Sequence, residues 1–569
     1  MSILISREHK GTDMMQRRIC ILALSLGLVT LLIAGRLIQL QVVEHDRWFF
    51  AARAMQERIV EILPRRGTIY DRNGFPLAFD VKALAIAVDS FNMTNPETIV
   101  TILSEELGRT REELRSLIYR QSYFTWIDRS VDLARAKAIE RRAREARAHG
   151  LIFIDTWKRR YPEGALASNL IGFVGMDRHG LAGLEKTFDD VLSGTPTTVR
   201  ILRGADGRTY HSETLHEGTP GEDLTLTIDA RLQFICEEAI TSGVARFKAN
   251  AGFFILLDPR NGDILAMAQD QRFDLNRFWE STEDERRNLA ISFLFEPGST
   301  FKAISGLAAL DHGVISPTSM LDGNTGIRVA GHTLHNAEFR SHGTVTFRRT
   351  ISHSINTAMV RVAQRLGEED LHHALISLGF GKETGIELPG EERGILRDLD
   401  EWSGLSLAML SFGQEIAVTG IQLALGMAVI ANGGLLPVPR IVQSIGERAD
   451  DPAMPRRVTS PESAAAMSDM LRTVIESGTG TWADLPGFYI AGKTGTAQKA
   501  FPGRGYVAGK YTSLFAGFFP ADEPAFLALV VLDEVMTTPV WGGVTSGSIF
   551  REAAARLVRF ERIPPVAKR

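Results

Sequence analysis

The apolar run near the amino end is the feature that most constrains this chain. Residues 19–43 contain one charged residue, Arg36, and are otherwise free of charge. About 25 helical residues, at a rise of ~1.5 Å each, are enough to cross a hydrocarbon layer of ~30 Å. Arg36 lies towards the far end of the run, where its side chain can extend to the lipid headgroups. The run therefore predicts a transmembrane helix over residues 19–43.

A cleaved signal peptide is the alternative explanation of this run. The run is longer than the usual apolar part of a signal peptide, and the nearest A-x-A-like triplet, Ala52-Arg53-Ala54, lies well beyond its end. Basic residues precede the run, which predicts a cytoplasmic tail over residues 1–18 and an extracytoplasmic location for everything after residue 43. These basic residues are Arg7, Lys10, Arg17 and Arg18.

The composition argues against several other classes of protein. A net charge of −4 over 569 residues gives no basic field of the kind that nucleic-acid binding needs, so no nucleic-acid partner is expected. The two cysteines, Cys20 and Cys236, give no disulfide framework, because Cys20 lies in the apolar run. No CxxC or HExxH spacing is present, and His332 and His335 lack a third ligand candidate, so neither a metal nor another cofactor is expected.

Residues 44–216 are expected to form a separate module. The stretch Pro64–Gly74 ends in an Asn-Gly turn signal and predicts a hairpin. Residues 130–150 are highly charged and predict a helix with a solvated face. The segment His216–Gly221 is typical of a linker between domains. A second, larger domain is therefore expected over residues 217–569.

The larger domain combines strand and helix patterns. Short alternating or continuous apolar runs predict strands, and longer amphipathic stretches predict helices. A helical block is expected from Ser299 to about Asn432, between strands on either side, which predicts an α/β mixture with a large helical insertion. The predicted strands are Leu224–Ile228, Gly252–Leu257, Asp263–Ala268, Phe488–Ala491, Thr512–Phe518 and Ala525–Leu532, and further helices are expected over Ala230–Ala245 and Phe550–Phe560.

Three short motifs follow one another along this domain. The first is Glu296–Lys302 (EPGSTFK), in which Ser299 begins an apolar helix and Lys302 lies one turn further on the same face. A neutral amine there can take the hydroxyl proton, as serine nucleophiles require. Lysine, unlike arginine, can lose its proton at a buried site, and the chain has only twelve lysines. S-x-x-K alone is a common spacing, and a serine that caps a helix is the simpler explanation of it.

The second motif is Ser354-Ile355-Asn356, just before a helix predicted from about Thr357. Taken alone, it is better explained as a helix cap. In the functional interpretation, Ser354 passes a proton between Lys302 and the leaving group, and Asn356 holds a backbone amide of the substrate.

The third motif is Lys493-Thr494-Gly495-Thr496, which follows a predicted strand. Its structural explanation is a strand that ends at a glycine turn. In the functional interpretation, Lys493, Thr494 and Thr496 bind a substrate carboxylate, and Gly495 lets a peptide lie close to the strand edge. A second cation near Lys302 would also help to keep that amine neutral. The three motifs in this order are typical of serine β-lactamases and penicillin-binding proteins.

On these motifs the sequence resembles the class B penicillin-binding proteins, from residue 19 to about residue 560. It is most similar to their division-specific type, FtsI or penicillin-binding protein 3, and less similar to the elongation type. The sequence departs from the family at Ile355, where a small polar residue is usual, and over residues 541–547, where relatives have a more alanine-rich run. Further segments that carry the resemblance are Arg66-Gly67, Asp71–Gly74, Gly180–Glu185, Ser411–Leu423 and Ser477–Gly480.

The resemblance implies a transpeptidase domain of the penicillin-binding and serine β-lactamase type, preceded by a transmembrane helix and an elongated α+β pedestal, or dimerisation, domain. It implies that Ser299 attacks a peptidoglycan stem peptide ending in D-Ala-D-Ala, with the backbone N–H groups of Ser299 and Thr496 as the oxyanion hole. β-Lactams would trap the same acyl-enzyme. The implied partners are a glycosyltransferase of the SEDS type and small bitopic division proteins, and the implied location is the division septum of the inner membrane.

Other functions stay open at this point. A β-lactamase or a DD-carboxypeptidase would use the same groups and transfer the acyl group to water, although a β-lactamase needs neither an anchor nor the module over 44–216. An elongation-type transpeptidase is a further alternative. A penicillin-binding sensor or a division scaffold would not be catalytic, and the short segment before Ile19 leaves no room for a signalling domain.

Overall fold

The computed structural model of the protein describes residues 5–203, 209–449, 451–501 and 505–565. Parts of the predicted tail and of both predicted domains therefore lie outside the described residues, namely residues 1–4, 204–208, 450, 502–504 and 566–569. The chain divides into two compact units, residues 1–64 with 195–219 and residues 65–194 with 220–569. The predicted boundary between functional modules at residue 216 stays a prediction.

The strands follow one another along the described chain with these bounds. They are β1 (Glu57–Ile62), β2 (Ile69–Tyr70), β3 (Pro76–Val88), β4 (Thr125–Asp132), β5 (Leu151–Arg160), β6 (Thr197–Arg203), β7 (Thr209–His216), β8 (Leu224–Leu226), β9 (Ala251–Leu257), β10 (Ile264–Gln269), β11 (Met320–Asp322), β12 (Ile327–Val329), β13 (His332–Leu334), β14 (Thr344–Thr346), β15 (Leu435–Leu436), β16 (Val442–Ile445), β17 (Arg448–Ala449), β18 (Arg456–Arg457), β19 (Ala491–Phe501), β20 (Gly505–Phe519) and β21 (Phe526–Asp533).

The α-helices are described in the same way. They are α1 (Ile5–Ile38), α2 (His45–Gln56), α3 (Pro96–Leu107), α4 (Arg111–Ile118), α5 (Leu133–Glu145), α6 (Ser168–Ile171), α7 (Gly183–Thr187), α8 (Asp189–Ser193), α9 (Ala230–Phe247), α10 (Glu283–Arg286), α11 (Leu289–Ser292), α12 (Lys302–Asp311), α13 (Phe347–Ser352), α14 (Asn356–Leu366), α15 (Glu368–Ser377), α16 (Ser406–Leu410), α17 (Gly420–Ala431), α18 (Pro461–Ser477) and α19 (Ser546–Phe560).

The first unit contains the apolar helix. Met14–Val43 is the segment of the described residues that is helical, long and apolar enough to cross a membrane. It covers α1 from Met14 and a π-helical turn over Gln39–Val43, and it includes the predicted span 19–43. In the same unit, β1, β6 and β7 form a three-stranded antiparallel sheet.

A five-stranded antiparallel sheet forms the centre of the second unit, in the order β10-β9-β21-β20-β19. Successive side chains of β9 alternate between two cores: Phe253 and Ile255 belong to one, and Phe254 and Leu256 to the other. Helices α9 and α19 pack against the second core, whereas α12 and α17 pack against the first. Because helices cover both faces, β9, β10 and β21 are buried along their whole length, which explains their continuous apolar sequences.

The predicted α/β class with a helical insertion is therefore confirmed. The insertion lies between β10 and β19, and it also contains short two-stranded ladders that the sequence did not predict, β11 with β14, β12 with β13 and β15 with β18. The predicted hairpin near Asn73 is present as β2 and β3, and the charged helix as α5, which buries Ala136, Ile139 and Ala143 and exposes most of its charges.

The predicted strand Phe488–Ala491 is wrong in its position. The strand β19 begins at Ala491 and continues through the K-T-G motif to Phe501, paired with β20. Phe488 and Ile490 are buried against the second core but do not lie in a strand. Their apolar side chains therefore led to a predicted strand that lies too far towards the amino end. The polar residues of the motif resemble a turn in sequence, yet they form a ladder because β20 supplies the hydrogen-bonding partner.

A buried ion-pair network connects distant segments of the second unit. The Glu185 carboxylate is fully buried and accepts from Arg66 Nε and from Arg159 Nε, both at 2.7 Å, and from the Tyr161 hydroxyl at 3.2 Å. Removing a carboxylate from water costs several kcal/mol, which is offset only when its oxygens are paired and hydrogen-bonded. The three donors satisfy both oxygens of Glu185, and they join α7 to β5 and to the residues before β2.

We expect the loss of Glu185 to destabilise this unit strongly. Glu185→Ala leaves two buried guanidinium groups without a shared carboxylate, and such a change costs about 3–5 kcal/mol. The midpoint of urea unfolding of the full chain in detergent should therefore fall. Glu97→Ala, which removes the exposed partner of Arg115, is the matched control and should change the midpoint little. Equal shifts for the two variants would contradict this account.

Candidate active site

A short 3₁₀ turn, Gly298–Phe301, places Ser299 in front of the buried helix α12. The Gly298 N–H donates to the Gly413 carbonyl at 3.0 Å, which fixes the turn. Gly298 has a φ of +52°, and a Cβ atom there would lie only 3.2 Å from the carbonyl oxygen of Thr496. Glycine is therefore needed both for the left-handed conformation and for the close approach of β19 to the turn.

The Lys302 side chain lies at the centre of the site. It is buried with 0% exposure, and its Nζ atom is 3.1 Å from Ser299 Oγ. The same Nζ is 2.7 Å from the Ser354 carbonyl oxygen, 3.0 Å from Ser354 Oγ and 2.6 Å from Asn356 Oδ1. The first two sequence motifs thus meet at one nitrogen atom.

These contacts match the bonding capacity of a neutral amine. The Ser354 carbonyl and Asn356 Oδ1 can only accept hydrogen bonds, so they take two N–H groups of Lys302. A neutral amine then has one lone pair left, and the remaining neighbours are hydroxyl groups that can donate to it. Burial, together with repulsion from the Lys493 ammonium, lowers the pKa of Lys302 well below its ordinary value.

Ser354 adopts a left-handed conformation, with a φ of +59°. This conformation is uncommon for residues other than glycine and costs about 1–3 kcal/mol. Here both the carbonyl oxygen and the hydroxyl of the same residue contact Lys302 Nζ. In this conformation, the single residue Ser354 supplies two hydrogen-bond partners to the Lys302 amine.

The Lys493 side chain, which extends from β19, contacts the same Ser354 hydroxyl. Its Nζ donates to Ser354 Oγ at 3.2 Å and to the Thr494 carbonyl at 3.2 Å. The side chain is fully buried, and burial lowers the pKa of Lys493 to about 7. Ser354 Oγ therefore lies between two amines, at 3.0 Å from one and 3.2 Å from the other.

The remaining residues of the third motif lie along the same strand. Thr494 Oγ1 is 2.8 Å from Thr479 Oγ1, and Thr496 Oγ1 accepts from the Gly542 N–H at 3.0 Å. A Cβ atom at Gly495 would lie 2.7 Å from Leu514 Cγ and 2.9 Å from the Pro297 carbonyl, so packing alone requires glycine there.

Several contributors to the site were not predicted from sequence. Thr479 lies in a segment that carried the family resemblance but had no role assigned. Asn336 orders the neighbouring loop, since its amide group bonds to the Gly323 and Arg340 carbonyls and to the Thr357 N–H and hydroxyl. Asn356 Nδ2 donates to the His335 carbonyl at 3.0 Å. No local spacing indicates these long-range contacts.

The chain matches two protein-family models. Residues 252–555 match the penicillin-binding protein transpeptidase domain, and residues 61–226 match the penicillin-binding protein dimerisation domain. The chain belongs to the penicillin-binding proteins. Within them it is of the class B, FtsI-like type, as the sequence predicted.

Relatives of this penicillin-binding protein cover nearly its whole length. The probable peptidoglycan D,D-transpeptidase PbpC of Pseudomonas aeruginosa is 32% identical over 95% of this chain and 94% of its own. The peptidoglycan D,D-transpeptidase FtsI of Escherichia coli is 29% identical over 99% of this chain and 95% of its own. A crystal structure of penicillin-binding protein 3 from Mycobacterium tuberculosis with aztreonam has a TM-score of 0.70 at 29% identity and covers 89% of this chain and 98% of that one.

The two buried lysines of this penicillin-binding protein are expected to titrate together. Lys493→Met removes a positive charge near Lys302, so the ammonium form of Lys302 becomes less unfavourable and its pKa rises. The rise can be measured by NMR titration of a chain labelled at the lysine ε-carbons, with only twelve lysines to assign. Lys499→Met, in the same strand but paired with Asp533 and Glu534, is the control. An unchanged or lowered pKa in Lys493→Met would disprove the coupling.

Proposed function

We propose that this penicillin-binding protein is a D,D-transpeptidase that cross-links peptidoglycan through an acyl-enzyme on Ser299. One observation carries the proposal: a buried amine lies 3.1 Å from the serine hydroxyl, with both of its N–H groups accepted by carbonyl oxygens. Such an amine can accept a proton from the hydroxyl, because burial favours its neutral form. This is the arrangement that an activated serine nucleophile needs.

The donor peptide is placed by its terminal carboxylate. Lys493 supplies a positive charge, and the hydroxyl groups of Thr494 and Thr496 supply hydrogen-bond donors on the same strand. A bound carboxylate raises the pKa of Lys493 above the value of about 7 that burial gives it, so substrate binding keeps this lysine protonated. Asn356 holds the backbone amide of the donor. To do so, the Asn356 amide group replaces one of its contacts within the protein by a contact with the donor.

Acylation begins with attack of Ser299 Oγ on the penultimate carbonyl carbon, while the hydroxyl proton passes to Lys302 Nζ. The negative oxygen of the tetrahedral intermediate is held by the backbone N–H groups of Ser299 and Thr496, and such donors contribute ~3–4 kcal/mol each. The C–N bond then breaks, and the proton travels from Lys302 through Ser354 to the leaving amine of D-alanine. An acyl-enzyme ester and free D-alanine result.

Deacylation repeats these steps with a different nucleophile. An amine of a neighbouring stem peptide attacks the ester carbonyl and gives a proton to Lys302 through Ser354. Ser299 leaves as the alkoxide and takes that proton, which restores the enzyme and completes the cross-link. β-Lactams resemble the donor and form the same ester, and the relative that was crystallised with aztreonam supports this assignment.

We also propose a cellular role, which the FtsI-like relationship supports. We infer a single-pass protein of the inner membrane with its amino end in the cytoplasm, its pedestal module over residues 44–216 and its transpeptidase domain over 217–569 in the periplasm. The proposed site of action is the division septum, with a SEDS-type glycosyltransferase and bitopic division proteins as partners. The supporting features are the basic residues before the apolar helix and the similarity to FtsI of Escherichia coli.

Ser299→Ala is expected to abolish covalent labelling by a fluorescent penicillin, because the ester cannot form without the hydroxyl. The labelled band is measured by gel fluorescence on purified full-length protein, and unchanged circular dichroism shows that the variant is folded. Ser316→Ala, an exposed serine outside the cleft, should label as the native chain does. Persistent labelling of Ser299→Ala would refute the assignment of the nucleophile.

Depletion in the native cell distinguishes the division role from the elongation role. A septal transpeptidase is expected to leave filaments with unclosed constrictions when it is depleted, because side-wall growth continues. Phase-contrast microscopy after repression of the gene measures the cell shape. Round, swollen cells would instead indicate the elongation type.

A further inference from the structure

Four basic side chains gather beside the S-x-N motif, and we call them the basic rim. They are Arg340, His342, Arg349 and His353. Arg340 and Arg349 are exposed, and the two histidines are half-buried. The rings of His342 and His353 lie 6.5 Å apart between centroids. The functional description above uses none of the four.

Helix α13 and the loop before β14 hold the rim in place. Arg349 and His353 are four residues apart on a helical turn, because the His353 N–H donates to the Arg349 carbonyl at 3.0 Å. The loop with Arg340 and His342 is fixed by Asn336, which is 5% exposed and uses both its oxygen and its N–H₂ group. The rim is therefore an ordered surface, with its loop tied to the start of α14.

The rim carries little compensating negative charge. Within the described part of the chain, no hydrogen bond or ion pair is found for the Arg349 guanidinium, and Arg340 has one long contact of 3.7 Å to Glu338. The neighbouring Arg348 is excluded from the rim because Asp469 pairs with it. Burial lowers the pKa of both histidines, and positive neighbours lower it further: Arg340 and Arg349 act on His342, and Arg349 and His342 act on His353.

The rim lies next to the end of the cleft that takes the donor carboxylate. His353 directly precedes Ser354, and the Ser352 carbonyl accepts from the Thr479 N–H at 3.1 Å. Thr479 in turn contacts Thr494, one of the proposed carboxylate ligands, at 2.8 Å. The leaving D-alanine departs from this end. The attacking amine must approach the ester carbonyl from the same direction, since deacylation reverses the geometry of acylation.

We propose that the basic rim binds a carboxylate of the acceptor stem peptide and so directs its amine to the acyl-enzyme. The proposal rests on the transpeptidase function proposed above. The ligand class is an anionic peptide with a free amine, and the rim contributes long-range attraction together with hydrogen bonds from guanidinium and imidazole groups. When this anionic peptide is not bound, the acyl group is transferred to water instead of to the amine.

The test is the partition of the acyl-enzyme between an amine and water. A thioester of an N-acyl-D-alanine with mercaptoacetate serves as donor. Its one carboxylate stands for that of the terminal D-alanine and leaves with the thiol, so the acyl-enzyme carries no stem-peptide carboxylate of its own. Two synthetic acceptor peptides with the same free amine are compared, one with a free internal D-glutamyl carboxylate and one with that carboxylate amidated. Chromatography gives the ratio of cross-linked to hydrolysed product, which does not depend on how fast the acyl-enzyme forms.

Removing the two arginines is expected to affect only the anionic acceptor. In Arg340→Gln/Arg349→Gln, the ratio should fall about tenfold for the free carboxylate and stay unchanged for the amidated peptide. Addition of 0.5 M salt to the native enzyme should lower the first ratio in the same direction, because rim charges are screened. Arg365→Gln, an exposed arginine at the far end of α14, is the matched control and should change neither ratio.

Each outcome bears on one of the two proposals. An unchanged ratio for the anionic acceptor in the double variant, or an equal fall for both peptides, would overturn the rim as a carboxylate site. If the native enzyme forms no acyl-enzyme with the thioester, the proposed function fails instead. Arg349→Lys alone, which keeps the charge, should retain most of the native ratio for the anionic acceptor.

Discussion

The site depends on burial of one amine in a place that favours its neutral form far more than water does. Lys302 enters the core on a helix whose surroundings are apolar, and it meets two carbonyl oxygens that can only accept hydrogen bonds. An ammonium ion there would lose its hydration and face a second buried lysine. In the proposed mechanism, the basicity that removes a proton from Ser299 is thus produced by the fold, since an exposed lysine is almost fully protonated at neutral pH.

This requirement explains much of the surrounding architecture. The central sheet is covered on both faces, so the start of α12 can lie in a dry interior while Ser299 remains half-buried at the cleft. Gly298 and Gly495 allow the turn and β19 to approach each other more closely than side chains would permit. The left-handed backbone of Ser354 lowers the free energy of unfolding locally. The same unit is stabilised elsewhere by the buried ion pairs of Glu185.

The sequence predicted the fold class and most elements of the sheet, because β9, β10 and β21 are apolar on both faces and have few alternatives. It also predicted that Ser299 and Lys302 share a helical face, since their spacing is local. The position of β19 was displaced, because a polar segment becomes a strand only when β20 pairs with it. The contacts of Thr479 and Asn336 and the left-handed Ser354 depend on chain segments far apart in sequence, which periodicity does not describe.

The placement of the K-T-G motif inside an edge strand has a wider consequence. Among the described strands, β19 pairs with β20 alone, so the N–H and C=O groups of its other edge can pair with an incoming peptide. Open edges of this kind are a common route to aggregation, because any extended chain can add to them. Here the turn before α12 and helix α18 both contact β19, and the Pro297 carbonyl lies close to Gly495, so the surroundings of this strand are partly occupied by the chain itself. The edge that the substrate peptide is proposed to use is therefore also an edge to which another extended chain can add.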